Sequence, residues 1–146
     1  MAILRSVASR ISQALSRTRE TFVGGLRSVL AGRRLDEALI ATGFAYRAER
    51  RRHQAERLVG MIDRVRDVRR GGSAALDLCL VACGRLDGYY EEYLNSWDLA
   101  AGVLIAQEAG ATTSDLDGGP ATSVATVAAA PGIHRALVEL INVIDS

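Results

Sequence analysis

Lysine is absent from this sequence of 146 residues, and all 18 basic residues are arginine, a bias that we attribute to codon usage in a GC-rich genome. Cysteine is limited to Cys79 and Cys83, and no further cysteine or nearby histidine completes a metal-binding tetrad. We therefore interpret both as reduced core thiols. Because no apolar run reaches the ~18 to 20 residues of a membrane-spanning helix, we expect a soluble, cytoplasmic protein with no membrane partner.

Net charge is also small, at +1, which excludes a global attraction to nucleic acid. Acidic residues are scarce in the segment 1–34, where Glu20 stands alone. This segment opens with apolar residues at spacings of three and four, which predicts an amphipathic helix. An organelle transit peptide is the alternative for this composition. We assign 1–34 as an amino-terminal helix and a segment that matches no clear structural pattern, and 35–146 as the domain. The apolar positions of the helix are Ile3, Leu4, Val7, Ile11 and Leu15.

From Leu35 onward, strand and helix signals alternate. "EALIATGFAY" predicts a buried strand, and the following charged stretch predicts a helix with Leu58, Ile62 and Val65 on its apolar face. "VRDVRR" predicts a brief strand, "GGSAALDLCLVACG" a buried helix and "RLDGYYEEYL" another strand. Such alternation favours an α/β fold with helices layered on a largely parallel or mixed sheet.

The remainder of the chain continues this pattern. Ser96 is the expected N-cap of a helix from Trp97 to about Ala109, which Gly110 ends at the C′ position. Two short strands are predicted on either side of "DLDGGP". A last helix is expected to begin close to Pro131.

Three features in this region are candidates for ligand binding or catalysis. Asp98 lies in a first helical turn, where the helix dipole favours a carboxylate by ~0.3 to 1 kcal/mol, so the residue alone favours an ordinary helix start. Ser73 and Ala74 follow two glycines at another helix start, whose free N–H groups can face an anion. Glu91 and Glu92 lie at a strand end, where α/β sheets bind ligands, or else in a solvated loop.

Together these features resemble the inositol monophosphatase family. "GGSAALDLCLVACGRLDGYYEEYLNSWDLAAGVLIAQEAGA" is similar to that family's carboxy-terminal signature, in which W-D-x-A-A-G precedes an apolar stretch and E-A-G. "EALIATGFAY" and "VATVAAAPGIHRALVELI" resemble a strand and the closing elements of the same half. The resemblance covers most of the chain from Leu35 onward, and it implies the layered α/β fold of sugar phosphatases.

The resemblance also implies roles for individual residues. Asp98 matches a metal-coordinating aspartate, Glu91 a residue that contacts the hydroxyls of inositol, and Ser73 and Ala74 a substrate-contacting helix start. The implied reaction is Mg²⁺-dependent hydrolysis of a phosphate monoester such as inositol 1-phosphate.

The sequence departs from the family in its metal-binding motifs. Neither the family's Glu-Glu loop nor its D-P-[ILV]-D-G-T motif is present, and Asp98 alone cannot balance two or more cations. We therefore expect a truncated, weak or inactive phosphatase. The alternative is a non-catalytic half-domain that acts in oligomerisation or protein interaction, and a homo-oligomer is expected because a large exposed apolar surface seldom stays bare.

Overall fold

The structure is a computed structural model and describes residues 33–145. The predicted amino-terminal helix lies outside the described residues. Alternation of strands and helices after Leu35 is confirmed, and a short 3-10 turn precedes the first strand. The strands are β1 (Leu39–Thr42), β2 (Asp67–Arg69), β3 (Gly88–Glu92), β4 (Thr112–Ser114) and β5 (Ala125–Ala129), and the helices are α1 (Ala48–Met61), α2 (Ala74–Ala82), α3 (Ser96–Glu108) and α4 (His134–Ile144).

The strands form one mixed sheet in the order β2-β1-β3-β5-β4. The first three strands are parallel, with β1 between β2 and β3, whereas β5 runs antiparallel to both β3 and β4. From β1 the chain moves outward to β2 and then returns past β1 to β3. This reversal of direction places α1 and α2 on opposite faces of the sheet.

Each face of the sheet carries its own apolar core. Tyr90 belongs to the core shared with α1 and α4, which includes Met61 and Leu137. Tyr89 belongs to the core shared with α2, which includes Leu78. Because successive strand residues point to opposite faces, Glu91 follows Tyr89 toward α2 and Glu92 follows Tyr90 toward α1.

The buried face of α1 differs from the prediction. The helix ends at Met61, and its buried residues are Gln54, Arg57 and Met61 rather than a stripe based on Leu58 and Ile62. Ile62 follows the helix and is 50% exposed. Of the other predicted apolar positions, Val65 is buried but lies after the helix, and Leu58 is partly buried. The apolar spacing missed that an ion-paired arginine forms part of the buried face.

The start of α3 is also shifted by one residue. Asn95, not Ser96, is the N-cap, so the predicted cap is wrong. The end of the helix is confirmed, since Gly110 has a φ of 94° and its N–H donates to the Gln107 carbonyl at 2.9 Å. No helix among residues 33–145 is long and apolar enough to cross a membrane.

Candidate functional site at the carboxyl ends of the parallel strands

A cleft of about 380 Å³ lies where the three parallel strands end. The loops that lead from β1 to α1, from β2 to α2 and from β3 to α3 all contribute to its lining. Parallel strands end at the same edge, and a crevice opens where consecutive connections leave toward opposite faces of the sheet. The four residues predicted for the site, Ser73, Ala74, Glu91 and Asp98, all line this one cleft.

Glu91 lies on the side of the cleft next to α2. Its Oε2 accepts a hydrogen bond of 2.8 Å from the hydroxyl of Tyr89, which is itself fully buried. Burial raises the pKa of Glu91 above its ordinary value, and although the Tyr89 hydrogen bond opposes this shift, the charge of Asp77 adds to it. The Tyr89 hydroxyl therefore fixes the orientation of a carboxylate whose charged form is poorly solvated.

Gly43 makes room for the Glu91 carboxylate. It lies one residue beyond the paired residues Thr42 and Tyr90, so the parallel register brings it beside Glu91. A Cβ at position 43 would overlap the carboxylate carbon and both oxygens of Glu91. Only glycine at this position leaves the carboxylate where it is.

The start of α2 forms a second part of the cleft. Ser73 is the N-cap, and its Oγ accepts a hydrogen bond from the Leu76 N–H at 3.4 Å. This contact satisfies one of the free N–H groups of the first turn and leaves those of Ala74 and Ala75 at the cleft. The positive end of the helix dipole therefore faces the cleft.

Asp98 occupies the N3 position of α3, at the cleft. Its Oδ2 accepts hydrogen bonds from the backbone N–H of Asn95 at 2.9 Å and from the Asn95 side-chain amide at 3.2 Å. Its Oδ1 accepts no hydrogen bond from another described residue. Asp98 therefore combines a helix-capping role with one carboxylate oxygen that is open to a ligand.

Asp77 is a buried carboxyl group beside the loop that precedes α2. It is 2% exposed, and its Oδ2 finds no hydrogen-bond partner among the described residues. A Cβ at Gly71 would lie 2.5 Å from Asp77 Oδ1, so the carboxyl packs directly against this glycine. Burial raises the pKa of Asp77, while the nearby charge of Arg70 opposes that shift.

Arg57 anchors the other face of the β3 end. This side chain is 2% exposed and forms ion pairs with Glu92 and with Asp145 after α4. Its Nε also donates to Asp145 Oδ1 at 2.9 Å. The pairing ties the end of β3 to α1 and α4, and it directs Glu92 away from a role as a free carboxylate.

The donor set accounts for only part of a magnesium site. Mg²⁺ prefers carboxylate oxygens and keeps several waters, so Asp98 fits as a single ligand. No group of three or more histidine, cysteine, aspartate or glutamate side chains among residues 33–145 could hold a metal ion. A site for two closely spaced cations is therefore not completed by the described residues.

Sequence reasoning missed three residues that shape this site. The sequence assigned no role to them: Gly43 lies in the segment predicted as the first strand, Arg57 in the predicted charged helix and Asp77 in the predicted buried helix. Gly43 and Arg57 gain their roles from residues distant in the sequence, Glu91 and Asp145, and such pairs form no local motif. Asp77 packs against Gly71, six residues earlier, and that contact also follows from the fold of the loop rather than from a motif. In "YYEE", the strand period of two places one tyrosine and one glutamate on each face of β3, and this was the local signal that could have been used.

Comparison with known proteins decides the family. The model of the inositol monophosphatase family matches residues 6–144. The chain belongs to the inositol monophosphatase family. The family resemblance inferred from the W-D-x-A-A-G region is thereby confirmed, and the family match also extends into the segment ahead of Leu35.

Individual family members give the extent of the similarity. Inositol-1-monophosphatase of Mycobacterium leprae is 56% identical over 106 residues, which are 71% of this chain and 36% of that protein. Nus factor SuhB of Escherichia coli K12 is 47% identical over 88 residues, 60% of this chain and 33% of that protein. The structure of Mycobacterium tuberculosis SuhB matches with a TM-score of 0.68 and 50% identity, over 76% of this chain and 43% of that one. The chain thus spans less than half of each of these relatives.

Proposed function

We propose that the cleft binds a small phosphorylated polyol, such as inositol 1-phosphate, and that the chain is by family a Mg²⁺-dependent phosphate monoester hydrolase with weak or no activity by itself. The observation that carries the proposal is the convergence of Glu91, Asp98 and the start of α2 on one cleft. Family membership supports the substrate class, and the M. leprae relative is named an inositol-1-monophosphatase.

Each of these groups suits one part of such a ligand. The Glu91 carboxylate, fixed by Tyr89, accepts hydrogen bonds from polyol hydroxyls. The free N–H groups at the start of α2 favour negative charge nearby. Asp98 would provide one carboxylate ligand to Mg²⁺, which when bound supplies charge neutralisation on the phosphoryl group and activation of a water.

Phosphate release from inositol 1-phosphate, measured with Mg²⁺ and with a chelator, tests the catalytic part. We expect slow, metal-dependent release that Asp98→Asn abolishes, because asparagine can still cap α3 but loses the charge that binds the metal. Asp63→Asn removes an exposed carboxylate outside the cleft and serves as the control. Absence of release at high protein concentration would reject hydrolysis by this chain.

Calorimetric titration with inositol 1-phosphate tests the binding part separately. We expect Glu91→Gln to weaken binding at least tenfold, since it replaces one charged acceptor with a neutral amide. A wild-type chain that shows no binding at millimolar ligand would reject the proposed substrate class, whatever the result of the activity assay.

A second candidate function, protein interaction, is favoured by the outer face of α3. Trp97, Leu104 and Ile105 recur on this face at helical spacing and are 79%, 58% and 46% exposed. The opposite side of α3 packs through Gly102 against Leu78 of α2, so the helix is apolar on both sides, as is typical of a helix covered on both sides. We propose that a second copy of the chain covers this outer face.

Light scattering after size-exclusion chromatography tests this candidate. We expect an oligomer that becomes a monomer when Leu104 and Ile105 are both replaced by glutamate, while the folded state is retained because both positions are exposed. Val143→Glu on α4 is the matched control, since Val143 is 69% exposed but lies on another helix. A wild-type monomer at high concentration would contradict self-association.

A further inference from the structure

Three arginines line the cleft without a carboxylate partner. Arg47, Arg50 and Arg70 all contribute to its lining. None of them forms a salt bridge with another described residue. Of the glutamates in the cleft, Glu91 accepts a hydrogen bond from Tyr89 and Glu92 pairs with Arg57, and neither forms an ion pair with these three arginines. The arginines are therefore available to a bound anion.

Arg50 is held in place by an unusual backbone conformation. Its guanidinium lies 4.1 Å from the centre of the Tyr93 ring. Tyr93 has a φ of 63°, in the left-handed region that non-glycine residues seldom adopt. Such conformations cost roughly 1 to 3 kcal/mol and persist where the surroundings impose them, often at ligand sites. Here the left-handed turn directly after β3 places the ring beside the Arg50 guanidinium, and this cation–π contact favours the position of the cation at the cleft.

Arg70 approaches the cleft from the opposite side, in the loop between β2 and α2. Its charge lowers the pKa of both Glu91 and Asp77, against the larger effect of burial, so it lies within electrostatic range of the cleft base. Arg51, in contrast, donates to the carbonyls of Ala45 and Tyr46 and so stabilises the loop that carries Arg47. Cations thus stand in two loops, on both sides of Glu91.

We propose that Arg47, Arg50 and Arg70 determine specificity, by selecting a phosphorylated polyol that carries a second anionic group on the part held beside Glu91. The inference rests on the proposed function, because it assumes that Glu91 faces the polyol. A guanidinium binds phosphate or carboxylate through paired N–H donors, and three arginines around one polyol-binding carboxylate exceed what a single phosphate requires.

Titration calorimetry with inositol 1-phosphate and inositol 1,4-bisphosphate, in Mg²⁺ at one ionic strength, tests the proposal on the full chain. We expect the bisphosphate to bind about tenfold more tightly than the monophosphate. The double variant Arg47→Gln, Arg70→Gln should reduce this ratio to about one, because it weakens the bisphosphate complex more than the monophosphate complex. Arg50→Gln should give an intermediate ratio.

Arg52→Gln is the control, because Arg52 is exposed on the same helix but does not line the cleft. It should leave the ratio unchanged, and circular dichroism should show that every variant is folded. A wild-type chain that binds both ligands equally would overturn the specificity inference and leave the proposed function intact. A ratio that survives the double variant would overturn it too. Failure to bind either ligand would reject both proposals.

Discussion

At the scale of single residues, the cleft depends on close packing between side chains and glycines on different strands and loops. The Glu91 carboxylate occupies the volume that a side chain at position 43 would need, and Asp77 occupies the volume beside Gly71. Close packing against a glycine thus restricts both carboxylates, and Glu91 in addition accepts the hydrogen bond from Tyr89. Small changes at either glycine should therefore affect binding more than their distance from a ligand suggests.

Gly43→Ala should displace Glu91 and weaken binding of inositol 1-phosphate by about tenfold or more. The free energy of unfolding should fall by much less than for overpacking against backbone, because the overlapping atoms lie at the end of a flexible side chain. Calorimetry and urea unfolding measure the two effects. In a Glu91→Ala background the same change should have almost no effect on either quantity, because the overlapping atoms are gone. Equal losses in both backgrounds would show that Gly43 acts independently of Glu91.

Asp77 predicts a pH-dependent stability. Because burial raises its pKa in the folded state, the native chain holds this proton more tightly than the unfolded chain, and ionisation costs stability as the pH rises above the ordinary value of 3.8. Asp77→Asn should therefore be more stable than wild type by about 1 to 2 kcal/mol at pH 7. The difference should shrink as the pH falls toward about 4, and urea unfolding between pH 4 and 7 measures it. A difference between Asp77→Asn and wild type that is independent of pH would contradict the interpretation.

At the scale of elements, α2 and α3 pack closely at a glycine. A Cβ at Gly102 would lie 2.7 Å from Leu78 Cδ1, so the two helices approach as nearly as glycine allows. Their amino termini both reach the cleft, where they carry Ala74 and Asp98. The distance between these helices therefore sets the width of this side of the cleft.

Gly102→Ala should lower the free energy of unfolding by about 1 to 3 kcal/mol through overpacking, although alanine by itself favours a helix by about 1 kcal/mol. Urea unfolding is the measurement. Leu78→Ala in the same chain should relieve part of the overlap, so that the double variant is more stable than the sum of the single changes predicts. Stabilisation by Gly102→Ala would mean that the helices can separate without cost.

Most elements were predictable because their signals are local. Glycines before Ser73, the apolar run after Asp98 and Gly110 at a helix end each mark a boundary within a few residues. The N-cap of α3 was predicted at the wrong residue because both Asn95 and Ser96 are good caps. With Asn95 as the cap, Asp98 lies at N3, and its side chain accepts the Asn95 N–H. The buried face of α1 was not predictable, since Arg57 is stabilised by a residue at the far end of the chain.

At the scale of the whole molecule, the Arg57 cluster joins the end of the chain to the cleft. Asp145 follows α4, Arg57 lies on α1 and Glu92 ends β3. The residue next to Glu92 is Glu91, so the ion pairs on one face of the sheet stabilise the strand end that presents the Glu91 carboxylate on the other face. The candidate site was predictable as a list of residues from the family resemblance, but this support beneath it was not, because it depends on contacts between distant parts of the chain.

Arg57→Met should reduce the free energy of unfolding by about 3 kcal/mol, because it leaves Glu92 in a buried position without its counter-charge. Adding Glu92→Gln should restore part of the loss, and urea unfolding measures both. Arg52→Met, at an exposed position of the same helix, is the control and should change stability by less than about 0.5 kcal/mol. A loss for Arg57→Met as small as that of the control would show that the cluster adds nothing to stability.

The overlap between Gly43 and Glu91 also has a consequence for how this gene can change over generations. A larger residue at position 43 displaces the Glu91 carboxylate unless position 91 already carries a smaller residue, and that second change removes the carboxylate from the cleft. Relatives that keep glutamate at position 91 should therefore keep glycine at position 43.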